Sequence, residues 1–292
     1  MTAVLAFDVG GTHIKWATMS GVHALCRGRL DTPRDGAPAL LERLVGVCDE
    51  LGSEAPARVG VSVAGWVDPD SGRVRHMTAL GIRDWDLAGA LAAARPGTAG
   101  AALVVNDLVA ACAGEAPGLP SLAVLAFGTG VSAKLAVSGR PQPGAAGLAG
   151  ELGHQTYRRG GRRCGCGRRG CVEAYAGWGG LCRAMRRRGI SGGPADLAAR
   201  ARGDRTARRL LDEALDAAGF AAASLVAAQD PGVVRIAGGL AAAWGDALLG
   251  AVRDGVHERC WNGERTRVEP ARWGQDAPLV GVARLVAEAD GG

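Results

Sequence analysis

The chain has 292 residues, of which 48% are hydrophobic and 22% charged, with 47 glycines and 4% aromatics. That balance excludes a disordered chain, and no apolar run reaches the ~20 residues of a membrane-spanning helix. The formal charge of +5 rests on arginine, since only Lys15 and Lys134 are lysines; no stacking aromatics interleave with the arginine clusters, so they read as solvated surface attractive to an anionic nucleotide rather than as a nucleic-acid face.

The length suits two core-forming domains, because one core rarely grows beyond ~250–300 residues. The scarcity of aromatics leaves the core to Ala, Val and Leu. The first residues carry no basic leader or signal-like apolar segment, which predicts a cytoplasmic protein. In that compartment the eight cysteines read as metal ligands or core thiols before disulfides.

In chain order, residues 4–8 form an apolar run, Gly10-Gly11-Thr12 a turn, and residues 14–19 a second extended run. This predicts a hairpin whose glycines supply positive φ angles. Residues 23–30 predict a third strand, and 37–51 a helix with Leu40, Leu41, Leu44, Val45 and Val47 at helical spacing. Residues 59–63 and 101–105 read as buried parallel strands. A second cycle then begins: strand 123–127, turn Gly128-Thr129-Gly130, strand 131–137. Two related α/β lobes facing a cleft would produce such a repeat. The C-terminal half predicts alanine-rich helices at 205–229 and 241–260 around one strand, 233–236.

The segment Asp8-Val9-Gly10-Gly11-Thr12-His13-Ile14-Lys15 lets backbone amides approach a phosphate, because no Cβ blocks them. Thr12 can hold a phosphate oxygen, and Asp8 can orient magnesium through water. An ordinary hairpin turn explains the same residues equally well. Gly128-Thr129-Gly130 repeats the motif, and two such turns can clamp one polyphosphate. Asn106-Asp107 ends a predicted parallel strand, where α/β ligands bind. Asp107 can accept a proton from an attacking hydroxyl while Asn106 fixes the substrate, or Asp107 simply caps the following helix. The strand-to-helix glycines Gly238 and Gly239 read either as a nucleotide approach or as a plain turn.

The most specific feature is Glu151-Leu152-Gly153-His154, then Cys164-Gly165-Cys166, then Cys171-Val172-Glu173. One His and three Cys within eighteen residues make a closed Cys₃His set that suits tetrahedral zinc. Four protein ligands leave no open position, so this zinc is expected to be structural, with Glu151 and Glu173 held beside it, able to accept hydrogen bonds from hydroxyl groups.

Taken in this order, the motifs resemble the ROK family of bacterial repressors and sugar kinases. The resemblance runs from Asp8 to about residue 285, nearly the whole chain. It implies an α/β actin-like ATPase (ribonuclease H-like) fold with two lobes around a central cleft: residues 1–107, completed by a C-terminal helix at about 278–292, and residues 108–277. It implies an ATP:sugar phosphotransferase of glucokinase type using ATP, Mg²⁺ and structural Zn²⁺, with Asp107 as base and O6 of glucose as acceptor. Sugar contacts would fall on Gly65, Asn106, Asp107, Glu151, His154 and Glu173; the zinc ligands would be His154, Cys164, Cys166 and Cys171. Asp8, Gly10, Gly11, Thr12, Lys15, Gly128, Thr129, Gly130, Gly238 and Gly239 would hold the nucleotide. Relatives are commonly homodimers, so a homodimer is expected here, with sugar and ATP as this chain's partners and neither nucleic acid nor membrane among them.

Two departures from the family pattern bear on substrate. Ala79 stands where a sugar-binding Asn is expected, and no Asn occurs between His76 and Leu87. Ser62 and Ser132 replace glycines. Losing an amide that reads a hydroxyl re-specifies a pocket, so a kinase of kanosamine, glucosamine or N-acetylmannosamine is the alternative. A sugar-sensing regulator is the further alternative; the early position of Asp8 and the retained phosphate motifs argue against it.

Overall fold

The computed structural model describes residues 3–95 and 102–289. The N-terminal apolar runs form β1 (Val4–Val9), β2 (His13–Ser20) and β3 (His23–Asp31), followed by α1 (Gly36–Leu51) and β4 (Arg58–Val63). A small antiparallel sheet of β5 (Trp66–Val67), β6 (Val74–Met77) and β7 (Ile82–Trp85) precedes α2 (Leu87–Ala94), β8 (Leu103–Asn106) and α3 (Asp107–Glu115). The main sheet runs β3-β2-β1-β4-β8, with β1 antiparallel to β2 and parallel to β4. Ala101, where the sequence began the eighth strand, lies outside the described residues.

The second cycle starts with β9 (Ser121–Phe127), β10 (Val131–Val137) and β11 (Arg140–Gln142). Helices α4 (Glu173–Ala176), α5 (Trp178–Arg187), α6 (Leu197–Arg200) and α7 (Arg205–Gln229) follow, then β12 (Val233–Ala237), α8 (Gly239–Trp244), α9 (Asp246–Arg259) and β13 (Arg267–Pro270). The chain ends on α10 (Ala277–Ala289); residues 290–292, assigned from sequence to the C-terminal helix, lie outside the described residues. The second sheet is ordered β11-β10-β9-β12-β13, with β9 antiparallel to β10 and parallel to β12. It reproduces the first sheet's order position by position, so the repeated strand, glycine-threonine turn and strand do mark a duplicated α/β plan.

Each sheet has its own core. Leu5, Phe7, Ile14, Leu40 and Leu44 are sealed in the first; Leu125, Phe127, Leu181 and Met185 in the second. Alanine carries much of the second: Ala214, Ala217, Ala218, Ala221 and Ala222 of α7 are fully buried. Small residues let helices approach closely. A Cβ on Gly255 of α9 would stand 2.4 Å from the Gly219 Cα of α7, and one on Gly281 of α10 would stand 1.6 Å from the Ala110 carbonyl oxygen of α3.

Those contacts revise the expected boundaries. The chain separates into residues 1–117 with 140–149 and 276–292, and residues 118–139 with 150–275. The first unit extends beyond Asp107 because α10 packs on α3 and holds it there. The expected helix 241–260 is two helices, broken at Gly245, whose φ of +50° ends α8. Gly10 and Gly11 do not adopt positive φ; they serve the turn through close approach, with Gly10 N–H donating to the His13 carbonyl at 3.0 Å. Among the described residues no helix is long and apolar enough to cross a membrane.

Candidate active site

In the first unit, the register of three strands assembles the environment of Asp8. Lys15 of β2 and Ser62 of β4 are its cross-strand partners. Ser62 Oγ donates to Asp8 Oδ1 at 3.0 Å, and Lys15 Nζ lies 3.9 Å from Asp8 Oδ2. Burial pushes the Asp8 carboxyl above its ordinary range, while Lys15 and Ser62 pull the other way. Ser62 is itself fully buried. Sequence reading had it only as a replaced glycine, and no periodicity signals its role, because that role comes from strand register. The turn after Asp8 is pinned from β3's end: Thr32 Oγ1 donates to the Gly10 carbonyl at 2.8 Å, and Thr32 N–H to the Thr12 carbonyl at 3.0 Å. Gly11 and Thr12 remain exposed.

At the end of β8, Asn106 and Asp107 divide two tasks. Asn106 is the helix cap: its backbone is extended and its Oδ1 accepts from Leu108 and Val109 N–H at 3.0 and 3.1 Å. Its Nδ2 donates to the Gly65 carbonyl at 3.0 Å and to Asp107 Oδ1 at 2.8 Å. Asp107 is therefore not the cap that one sequence reading made it; it lies inside the first helical turn, half-buried, with Oδ1 also accepting from Leu108 N–H at 2.8 Å. Gly65 is closely packed, since a Cβ there would meet the His76 carbonyl at 2.6 Å. Ala79 comes to the glycine turn after Asp8: a Cβ on Gly11 would lie 3.2 Å from the Ala79 methyl.

In the second unit the Gly128-Thr129-Gly130 turn closes β9 onto β10, with Gly128 N–H donating to the Gly130 carbonyl at 2.9 Å. The Gly128 carbonyl accepts from Trp178 N–H, the first residue of α5, at 2.9 Å. Glu173 sits against this turn, its Oε2 2.5 Å from where a Gly130 Cβ would be. Glu151 is exposed, and Ser132 Oγ donates to the Gly150 carbonyl at 3.2 Å and lies 3.5 Å from Glu151 Oε1. Of the two glycines after β12, Gly238 is accounted for internally: its φ is +97° and a Cβ would meet the Phe127 carbonyl at 2.3 Å. Gly239 faces open space.

His154, Cys164, Cys166 and Cys171 bring their ligand atoms within 4.8 Å of one another. Cys166 and Cys171 sulfurs are 3.7 Å apart, and Cys164 Sγ is 3.8 Å from His154 Nδ1. A tetrahedral ion with Zn–S bonds of ~2.3 Å needs ligand atoms about 3.8 Å apart, whereas a disulfide needs ~2.05 Å. The donor set and spacing fit zinc. The hairpin that carries them is tied by Cys164 N–H to the Arg168 carbonyl at 2.8 Å. Burial pushes the Cys164 thiol up to about 12, while the Arg168 N–H holds Cys166 below the ordinary thiol range. Glu173 Oε1 lies 3.7 Å from Cys164 Sγ, so one carboxylate touches both the cysteine cluster and the glycine turn.

Comparison with known proteins places these features in context. The model of the ROK family matches residues 4–289. N-acetylmannosamine kinase of Salmonella paratyphi A is 31% identical over 298 residues, covering 98% of each chain. The structure of a ROK hexokinase from Thermus thermophilus superposes with a TM-score of 0.86 and 30% identity, covering all of both chains. That of a ROK family glucokinase from Streptomyces griseus, in complex with glucose and AMPPNP, gives 0.81 and 25%, covering 98% of this chain and 99% of the other.

Proposed function

Because the chain belongs to the ROK family and has its actin-like ATPase fold, we propose that it is an ATP-dependent sugar kinase, transferring the γ-phosphoryl of ATP to a hexose hydroxyl, with O6 of glucose as the leading acceptor. The observation that carries this reading is the separation of Asn106 from Asp107: Asn106 caps α3, so the Asp107 carboxylate is held at a strand end without the capping task. Asp107 is the general base that takes the hydroxyl proton. Asn106, close to Gly65, is the residue assigned to orient the sugar, and Glu151, His154 and Glu173 are its assigned acceptors and donors.

The turns assigned to phosphate are Gly10-Gly11-Thr12, with Lys15 on the neighbouring strand, and Gly128-Thr129-Gly130; of the pair after β12, Gly239 is the glycine assigned to the nucleotide. A bound magnesium ion would neutralise charge on the phosphates. Asp8 would hold it through water, with Ser62 fixing the carboxylate. Zinc on His154, Cys164, Cys166 and Cys171 would be structural, its four protein ligands holding the segment that ends at Glu173.

Ala79 favours a second reading in which the acceptor is an amino-hexose. Its methyl stands beside Gly11, at the position where the family pattern carries a sugar-binding Asn, and Glu151 or Glu173 could pair with an ammonium group. A coupled ADP-release assay over glucose, mannose, N-acetylmannosamine, glucosamine and kanosamine separates the two. Sugar-dependent ADP release supports the kinase, and the sugar with the highest kcat/KM decides between the readings. ADP release indifferent to every sugar would refute both.

A further inference from the structure

The second unit carries a concavity that the proposed reaction does not use. Five arginine residues line it: Arg162 and Arg163 from the cysteine hairpin, and Arg183, Arg187 and Arg188 from α5 and its C-terminal end. Its volume is about 230 Å³, below the ~300–1,000 Å³ of a drug-sized ligand site and large enough for a phosphate or diphosphate. Small residues, Ala184 of α5 among them, form the rest of the wall.

The arginines are organised. The Arg162 side chain is only 15% exposed, stacked with its Cζ 4.3 Å from the centroid of the Tyr175 ring and paired with Glu213 of α7. Arg188 Nη2 reaches the same Glu213 Oε2 at 3.1 Å. One carboxylate thus serves two guanidiniums, while Arg163, Arg183 and Arg187 contribute to the wall of the same hollow. Surface arginines that only solvate themselves lower their energy by spreading apart. Here two separate segments converge on one hollow, an arrangement that an anion relieves through charge-assisted, forked hydrogen bonds.

We infer that this concavity is a binding site for a small phosphate-bearing anion, built from residues other than the glycine-threonine turns. Arg162 and Arg163 immediately precede Cys164, so an occupant engages the segment leading to Glu173. The inference stands independently of the kinase reading. Whether the anion is free inorganic phosphate, pyrophosphate or a phosphomonoester is a matter of source, since all three present the same tetrahedral oxygens.

The test is isothermal titration of the full zinc-loaded chain with phosphate, pyrophosphate and glucose 6-phosphate, for wild type, Arg183→Ala/Arg187→Ala and Glu213→Gln. Arg183 and Arg187 are exposed, so the double variant should fold normally. The expected result is saturable, salt-sensitive binding of at least one ligand, weakened about tenfold or more in the double variant. Glu213→Gln should bind that ligand more tightly, because a competing carboxylate is gone. ATP affinity should be the same in wild type and the double variant. No saturable binding of any of the three would overturn the inference, as would binding unchanged by the double substitution. ATP affinity falling in parallel would do the same by assigning the arginines to the nucleotide, and so would a labelled oligonucleotide displacing the anion at physiological salt.

Discussion

Gly130 and Glu173 are in contact in a way that leaves no room for a side chain between them: a Cβ built on Gly130 would stand 2.5 Å from Glu173 Oε2. The obstructing atom is the end of a flexible side chain, so Gly130→Ala should fold and displace the carboxylate. With Glu173 assigned to the sugar, such a displacement of about 1 Å is expected to lower kcat/KM on the order of 10²-fold, with an unchanged circular dichroism spectrum. Steady-state kinetics of this variant equal to wild type would remove Glu173 from the sugar's contacts.

Ser62→Ala addresses Asp8. Burial already holds that carboxyl above its ordinary range, and Ser62 opposes the shift; losing the hydroxyl raises the carboxyl further. With Asp8 proposed to hold magnesium as the carboxylate, the acid limb of kcat/KM for MgATP should move to higher pH. For stability the sign follows from the raised value. Any such contribution from Asp8 is complete below the ordinary carboxylate range and is lost as pH rises through the folded value. In the variant that loss should extend to higher pH. Superimposable pH profiles for wild type and Ser62→Ala would show that the hydrogen bond does not tune Asp8.

Asn106 and Asp107 should separate stability from turnover. Asn106→Ala removes a cap and should cost about 0.5–2 kcal/mol, seen as a lower melting temperature. Asp107→Asn keeps an acceptor for Leu108 N–H and should melt close to wild type while losing ~10²–10⁴-fold in kcat. If Asp107→Asn turned over normally, proton removal would belong to another group.

Cys166→Ser should release zinc. Elemental analysis is expected to find one zinc per wild-type chain and much less in the variant, whose sugar KM should rise because the segment ending at Glu173 is no longer held. Full zinc content in Cys166→Ser would show that the metal uses other ligands.

Ala79→Asn places an amide beside the turn after Asp8, where the Ala79 methyl now faces Gly11. The ratio of kcat/KM for glucose to that for amino sugars should rise; an unchanged ratio would place specificity elsewhere.

What could be read from sequence was local or repeated. The cysteine cluster was legible because His154, Cys164, Cys166 and Cys171 fall within eighteen residues, and the twofold plan because the strand, turn and strand recur. Features set by tertiary register were not. Ser62 meets Asp8 only because β4 pairs with β1 in one register. Asn106 and Asp107 are both good caps by type, and the choice is made by backbone angles, extended at Asn106. Strands β5 to β7 are two to four residues long, too short for alternation to declare itself. The allegiance of α3 depends on the glycine at 281, far away in sequence.

The most direct test of the central claim is ³¹P NMR of the purified zinc-loaded protein with MgATP and each sugar of the panel, run beside Asp107→Asn. The account predicts a sugar phosphomonoester signal growing in step with ADP for at least one hexose, and no such signal from the variant. ADP accumulating only with inorganic phosphate, or no nucleotide turnover with any sugar, would contradict it.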